Sequence, residues 1–179
     1  DRVTIATFPD NPEDAVYRGA LRAVRGRKSS LTYFQNLSML HANGVANFNE
    51  SLRRGAIEAR QAGVAIVLSD FLDPAGYESG LSALISRGFH VNAIQILAPD
   101  ELNPNTFGDL RFIDSETGAM QEVTFGKYRL KNYQQTVENF CQRLREYCQS
   151  RRVNFFRVGS DTSLEKLLLN QLRQAEVWG

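Results

Sequence analysis

The sequence predicts an α/β fold: a doubly wound, mostly parallel sheet with an inserted β-hairpin. Three observations carry this. Val64-Ala65-Ile66-Val67-Leu68 is a continuous apolar run, too short for a helix of its own, and reads as a strand buried on both faces. His90–Leu97 reads as a second buried strand, and the helical segment between the two leaves only short connections, which makes a right-handed βαβ unit. Strands and helices alternate along the rest of the chain, apart from one hairpin pattern.

Taken in order, Val3–Phe8 is a β-rich run closed by Pro9. Residues 16–25 are ambiguous and fit a short edge strand. Ser29 or Ser30 caps a helix running to about Leu40. Asn47-Phe48-Asn49-Glu50 has capping-box spacing, with Asn47 as N-cap and Glu50 three residues on. Phe48, Leu52, Ala56 and Ala59 follow at helical spacing, and Gly63 stands where a terminating glycine belongs. After the first buried strand, Gly76–Arg87 forms a helix with Tyr77, Leu81 and Leu84 on one face, ending at Gly88. Pro99 stops the second buried strand. Asp109–Asp114 and Met120–Phe125 flank Ser115-Glu116-Thr117-Gly118 as a hairpin. A long helix spans about Leu130–Ser150, striped by Val137, Phe140, Cys141, Leu144, Tyr147 and Cys148. Asn154–Val158 is the last strand, and Ser163 caps a final helix carrying Leu164, Leu167, Leu168 and Leu172, with Glu165 in its first turn.

At 179 residues the chain is expected to be one domain over 1–179. Its 42% hydrophobic and 23% charged residues exclude a disordered or supercharged chain. No apolar run approaches the ~18 residues of a membrane span, so these residues are expected to make no membrane contact. No apolar leader follows Asp1, and the missing initiating Met points to a piece of a longer protein. Cys141 and Cys148 lie about 10 Å apart along one helix face, too far to bridge, which favours a reducing, cytoplasmic setting.

Charge is unevenly spread. Residues 64–126 hold nine acids against Arg87 and Arg111, so a cation or a basic partner suits this region better than a phosphate. Within it, Ser69-Asp70-Phe71-Leu72-Asp73-Pro74 follows the first buried strand, at the strand end where α/β sheets gather functional residues. A carboxylate there can hold a cation, orient a water or cap the next helix, and Asp73 also fits a turn residue before Gly76. The basic run Arg18, Arg22, Arg25, Arg27, Lys28 has only Tyr17 and Tyr33 nearby for stacking, so a protected edge or a face for an acidic protein fits better than nucleic acid. His41 and His90 form no metal-binding pair, Gly126-Lys127 lacks the rest of a phosphate loop, and no nucleophile elbow occurs. Nothing here assembles an enzyme.

Several motifs carry a family resemblance. They are Leu68-Ser69-Asp70-Phe71-Leu72-Asp73, Gly108-Asp109-Leu110-Arg111, Asp114-Ser115-Glu116-Thr117-Gly118, Glu122-Val123-Thr124, Tyr147-Cys148, Arg157-Val158-Gly159-Ser160-Asp161-Thr162 and Leu164-Glu165-Lys166-Leu167-Leu168. Together they resemble the carboxyl-terminal part of the bacterial domain-of-unknown-function family fifty-eight. The resemblance implies a von Willebrand factor A-like, Rossmann-like fold and an association with MoxR-type AAA+ ATPases. In that architecture the central strand comes first and ends in Asp-x-Ser-x-Ser; with a later Thr and an Asp after the fourth strand it forms a metal-ion-dependent adhesion site. Asp1-Arg2-Val3-Thr4-Ile5 looks like the second strand, so the first, central strand is absent. Ala46 stands where the Thr is expected, beside Gly44, Val45 and Asn47. Only Asp70 matches the metal motif, leaving a degenerate site that Mg²⁺ would fill only with help from upstream residues.

The expected function is a non-enzymatic protein–protein interaction domain, an adaptor for a MoxR-type AAA+ ATPase. Its partner-binding residues are Asp70, Asp73, Ala46 and Asn47. The setting is the cytoplasm, or the cytoplasmic part of a longer membrane-anchored protein. The alternative is a metal-assisted hydrolase using Asp70 and Asp73.

Overall fold

A computed structural model describes residues 2–7, 24–25, 30–38, 47–104, 108–113, 118–163 and 165. The elements are β1 (Arg2–Val3), β2 (Val24–Arg25), α1 (Ser30–Ser38), α2 (Phe48–Glu58), β3 (Val64–Ser69), α3 (Glu78–Ser86), β4 (His90–Leu97), α4 (Pro99–Leu102), β5 (Gly108–Ile113), β6 (Met120–Phe125), α5 (Lys127–Ser150) and β7 (Asn154–Gly159). They form an α/β structure around a three-stranded parallel sheet ordered β3-β4-β7. Val64 pairs with His90 and Asn92 with Asn154, so the three strands run in step and end together near Ser69, Leu97 and Gly159.

Alternation along the strands divides the sheet into two faces. Val67, Val91 and Ala93 turn to the main core, where they meet Phe48, Leu52 and Ala56 of α2, Leu81 and Leu84 of α3, and Leu144 and Cys148 of α5. A smaller cluster joins Ile94 and Val158, with Ile96 and Phe156 packed on them. The main core holds most of the buried apolar area, at roughly 25 cal/mol per Å², and it fixes the loops at the strand ends.

The βαβ unit is present as expected, but β3 is not buried on both faces. Val64, Ile66 and Leu68 are 60%, 42% and 55% exposed, and among the described residues β3 has a neighbour only in β4. A run of apolar residues satisfies an edge strand and a central one alike, because burial depends on what lies alongside.

The sequence misplaces several boundaries. In the amino-terminal run only Arg2 and Val3 form strand, paired antiparallel to Val24 and Arg25; Phe8 and residues 16–23 lie outside the described residues. Helix α2 stops at Glu58 with Ala59 as its C-cap, so Gly63 does not terminate it. Gly63 instead offers its carbonyl to the His90 N–H at 2.9 Å. Helix α3 starts at Glu78, because Gly76 adopts a φ of +77°, a turn conformation that glycine takes without steric cost; Gly88, at +84°, ends the helix as expected. Pro99 stops β4 and also opens the one-turn α4, where its missing N–H costs nothing. The expected β5–β6 hairpin is present, with its first strand at Gly108–Ile113 and Arg111 opposite Glu122, while its turn at 114–117 lies outside the described residues. Helix α5 begins three residues before the expected start, at Lys127. Of the final helix only Glu165 is described.

Candidate functional site

The segment from Ser69 to Tyr77 leaves β3 and enters α3, and its conformation is set by short-range hydrogen bonds. Ser69 Oγ accepts the Phe71 N–H at 3.0 Å, and Asp70 Oδ1 accepts the Leu72 N–H at 2.9 Å. Asp73 Oδ1 accepts the Ala75 N–H at 2.7 Å. The side chain two residues back thus closes each turn, which is why Ser and Asp occupy these positions.

Phe71 is the pivot. Its φ of +64° is costly for a bulky residue, and the ring is fully buried. It meets Phe48 edge-on at 5.3 Å and Tyr77 at 6.2 Å, and Tyr77 in turn meets Phe140 and Tyr147. Aromatic packing from α2, α3 and α5 therefore holds the chain in a conformation that isolated sequence disfavours. The same burial raises the Tyr77 hydroxyl pKa, with the neighbouring Glu78 charge adding to it.

Two longer connections fix the segment to the scaffold. Asp73 Oδ2 accepts the Phe48 N–H at 3.1 Å, so this carboxylate binds the first turn of α2. Asn49, buried in α2, donates from Nδ2 to Gly76 O at 2.8 Å and accepts the Gly80 N–H on Oδ1 at 2.8 Å. From the sheet, Gln95 donates from Nε2 to the Asp70 carbonyl at 3.0 Å. Gln95 Oε1 is the one buried side-chain polar atom without a hydrogen-bond partner among the described residues.

Asp70 is exposed at the carboxyl end of β3, and only its Oδ1 is engaged, while both oxygens of Asp73 are bound by backbone N–H groups. Asn47 is the N-cap of α2, as expected, and its Oδ1 accepts the Glu50 N–H at 2.9 Å. The capping box is only half made, because Glu50 turns to Arg53 at 2.7 Å instead of reaching back. Asp73 takes the Phe48 N–H beside that cap. The structure thus brings Asn47, Asp70 and Asp73 to one end of the sheet. Ala46 lies outside the described residues, as does most of the Arg18–Lys28 run.

Among the described residues no group of three or more His, Cys, Asp or Glu side chains could hold a metal ion. Asp70 with one free carboxylate oxygen does not fit the near-octahedral oxygen set that Mg²⁺ demands. Neither Phe71 nor Asn49 stands out as a functional residue in the sequence. The i to i+2 spacing of Ser69, Phe71 and Asp73 was the one available signal, and it points to turns rather than to an aromatic pivot.

Cys141 and Cys148 are free and buried on α5, and burial pushes the Cys148 thiol up to about 12. No helix among the described residues is long and apolar enough to cross a membrane.

The family described as "Protein of unknown function DUF58" matches residues 22–141, which include the whole Ser69–Tyr77 segment. An uncharacterized protein of Mycobacterium avium is 36% identical over 80 residues, 45% of this chain and 45% of its own length. An uncharacterized protein of Mycobacterium tuberculosis is 34% identical over 75 residues, 42% of this chain and 22% of its own length, and one from Mycobacterium bovis matches to the same extent. The matched stretch spans less than half the length of these relatives. No solved structure matches significantly.

Proposed function

Starting from the fact that the chain belongs to the DUF58 family, we propose that it is a non-enzymatic protein–protein interaction domain whose docking surface is the Asp70 end of the parallel sheet. The observation that carries this reading is the contrast between the two aspartates. Asp73 is consumed in holding the loop to α2, whereas Asp70 is exposed, half-engaged and mounted on a backbone fixed from three sides. A carboxylate held this way binds a basic side chain with little ordering cost. The acidic surroundings of residues 64–126 favour such a partner.

The finer reading rests on resemblance: a von Willebrand factor A-like, doubly wound sheet acting as an adaptor for a MoxR-type AAA+ ATPase in the cytoplasm. The apolar edge of β3 supports it, since among the described residues that edge has no neighbour beyond β4, as suits a sheet in which a further strand lies there. The two free, buried cysteines fit a reducing compartment. The commitment of Asp73 to two N–H groups argues against a hydrolase built on both aspartates.

The test is binding of a purified MoxR-type ATPase to the wild-type chain and to Asp70→Asn, with melting curves for both. Asn keeps the Oδ1 acceptor and removes the charge, so the fold should be unchanged and binding at least tenfold weaker. Unchanged binding by a folded variant would remove Asp70 from the docking surface.

A further inference from the structure

The opposite edge of the sheet carries a second feature, independent of Asp70. Strand β7 has β4 on one side and no other strand among the described residues. Between β7 and the last turns of α5 lies a cleft of about 390 Å³, lined by Arg145, Gln149, Val153, Asn154, Phe155 and Arg157. The lining holds two arginines and no acid.

Both guanidiniums are oriented. Arg145 is exposed and lies over the Phe155 ring, 5.8 Å from its centroid, and it makes no ion pair among the described residues. Arg157 is held by the Cys141 side chain and, through Nη1, by Glu138 at 3.0 Å, and donors of its five-donor fork remain beyond these two bonds. Bonds to Glu138 and to the Cys141 side chain hold its pKa above the usual value.

The spacing is that of a strand. Phe155 and Arg157 are two residues apart in β7 and project to the same face, about 7 Å apart along the strand, and Arg145 lies over the first of the two positions. Acidic side chains at alternate positions of an extended peptide have the same repeat. The β7 edge, unpaired among the described residues, supplies backbone donors and acceptors, and the arginine forks supply carboxylate recognition. The only aromatic ring in the cleft is covered by Arg145, which leaves no platform on which a nucleic-acid base could stack.

The geometry points to a docking site at the β7 edge for an extended acidic segment of a partner protein, added as a further strand with alternate Glu or Asp side chains against Arg145 and Arg157.

The experiment uses a fluorescein-labelled decapeptide with Glu at alternate positions and Thr or Val between, and its counterpart with Gln in place of Glu. Anisotropy is read at 50 mM and 300 mM salt. Expected results are binding of the Glu peptide, at least tenfold weaker binding of the Gln peptide, and weakening at the higher salt. Arg145→Gln should lower affinity about fivefold or more, and Arg145→Glu should abolish it. Both should leave the chain folded and lower the melting temperature by a few degrees at most, since the exposed side chain gives up only its contact with the Phe155 ring. Amide exchange in β7 should slow when the peptide is bound. Equal affinity for the two peptides, or indifference to Arg145 substitution, overturns the proposal. So does equal binding of a single-stranded oligonucleotide of matched charge, which would assign the cleft to phosphates. Asp70→Asn should leave peptide binding intact, so this site and the Asp70 surface fail or stand separately.

Discussion

Removing the Asp73 carboxylate should uncouple the β3–α3 loop from α2. The structure gives the size of the effect. Asp73 Oδ2 accepts from Phe48 and Oδ1 from Ala75, at 3.1 and 2.7 Å. Hydrogen bonds to a charged group contribute roughly 1.5–3 kcal/mol each when shielded, and an exposed N-cap about 1 kcal/mol. The Phe48 contact is part-buried and the Ala75 contact exposed, so the two together should cost about 2–3 kcal/mol in Asp73→Ala. Asp73→Asn keeps one acceptor and should cost about 1 kcal/mol. Asp70→Asn keeps the Oδ1 acceptor for Leu72 and Ser69, and should lie within about 0.5 kcal/mol of wild type. Urea unfolding midpoints rank the three variants, and amide exchange locates the damage. The Phe48 amide should lose protection in both Asp73 variants and keep it in Asp70→Asn. A cost below about 0.5 kcal/mol for Asp73→Ala, with Phe48 protection intact, would refute the assignment of Asp73 to the scaffold and return it to the docking surface.

Gly80→Ala should destabilise by about 1–3 kcal/mol in thermal unfolding, despite better helix propensity, because its Cβ would sit 3.0 Å from the Asn49 backbone and 3.1 Å from Leu52. Arg87 donates to the Ala56 and Ala59 carbonyls, each at 3.0 Å, where α2 ends, so Arg87→Ala should cost about 1–2 kcal/mol and raise amide exchange at that end. Cys141 and Cys148 should resist thiol reagents at neutral pH until denaturant is added; rapid stoichiometric labelling of the folded chain would contradict the buried face of α5. The Cys148 thiol, raised by burial from 9.0 to about 12, binds its proton more tightly folded than unfolded, so its contribution to stability is full below pH 9 and is lost as pH rises toward 12. Cys148→Ala should flatten that alkaline decline in a pH series of unfolding midpoints.

Much of this architecture was legible in the residues. The apolar runs at 64–68 and 90–97, the helical stripe through Leu144 and Cys148, the hairpin and the Asn47 cap all follow from side-chain periodicity and local turn chemistry, which are properties of neighbouring residues. The candidate loop was legible as a position, because a Ser-Asp turn after a buried strand can be read without tertiary information.

Its internal division of labour could not be read that way. Which aspartate is spent on structure was decided by the arrival of Phe48, 25 residues upstream in the chain, with its first-turn N–H at Asp73. The positive φ of Phe71 is tolerated because its buried ring packs edge-on against Phe48 of α2 and against Tyr77 at the start of α3. The place of β3 at the edge, and the meeting of Arg145 with Phe155 beside β7, likewise depend on strand order and helix docking. Periodicity tells each residue which way to face, and only the packed chain determines what it faces.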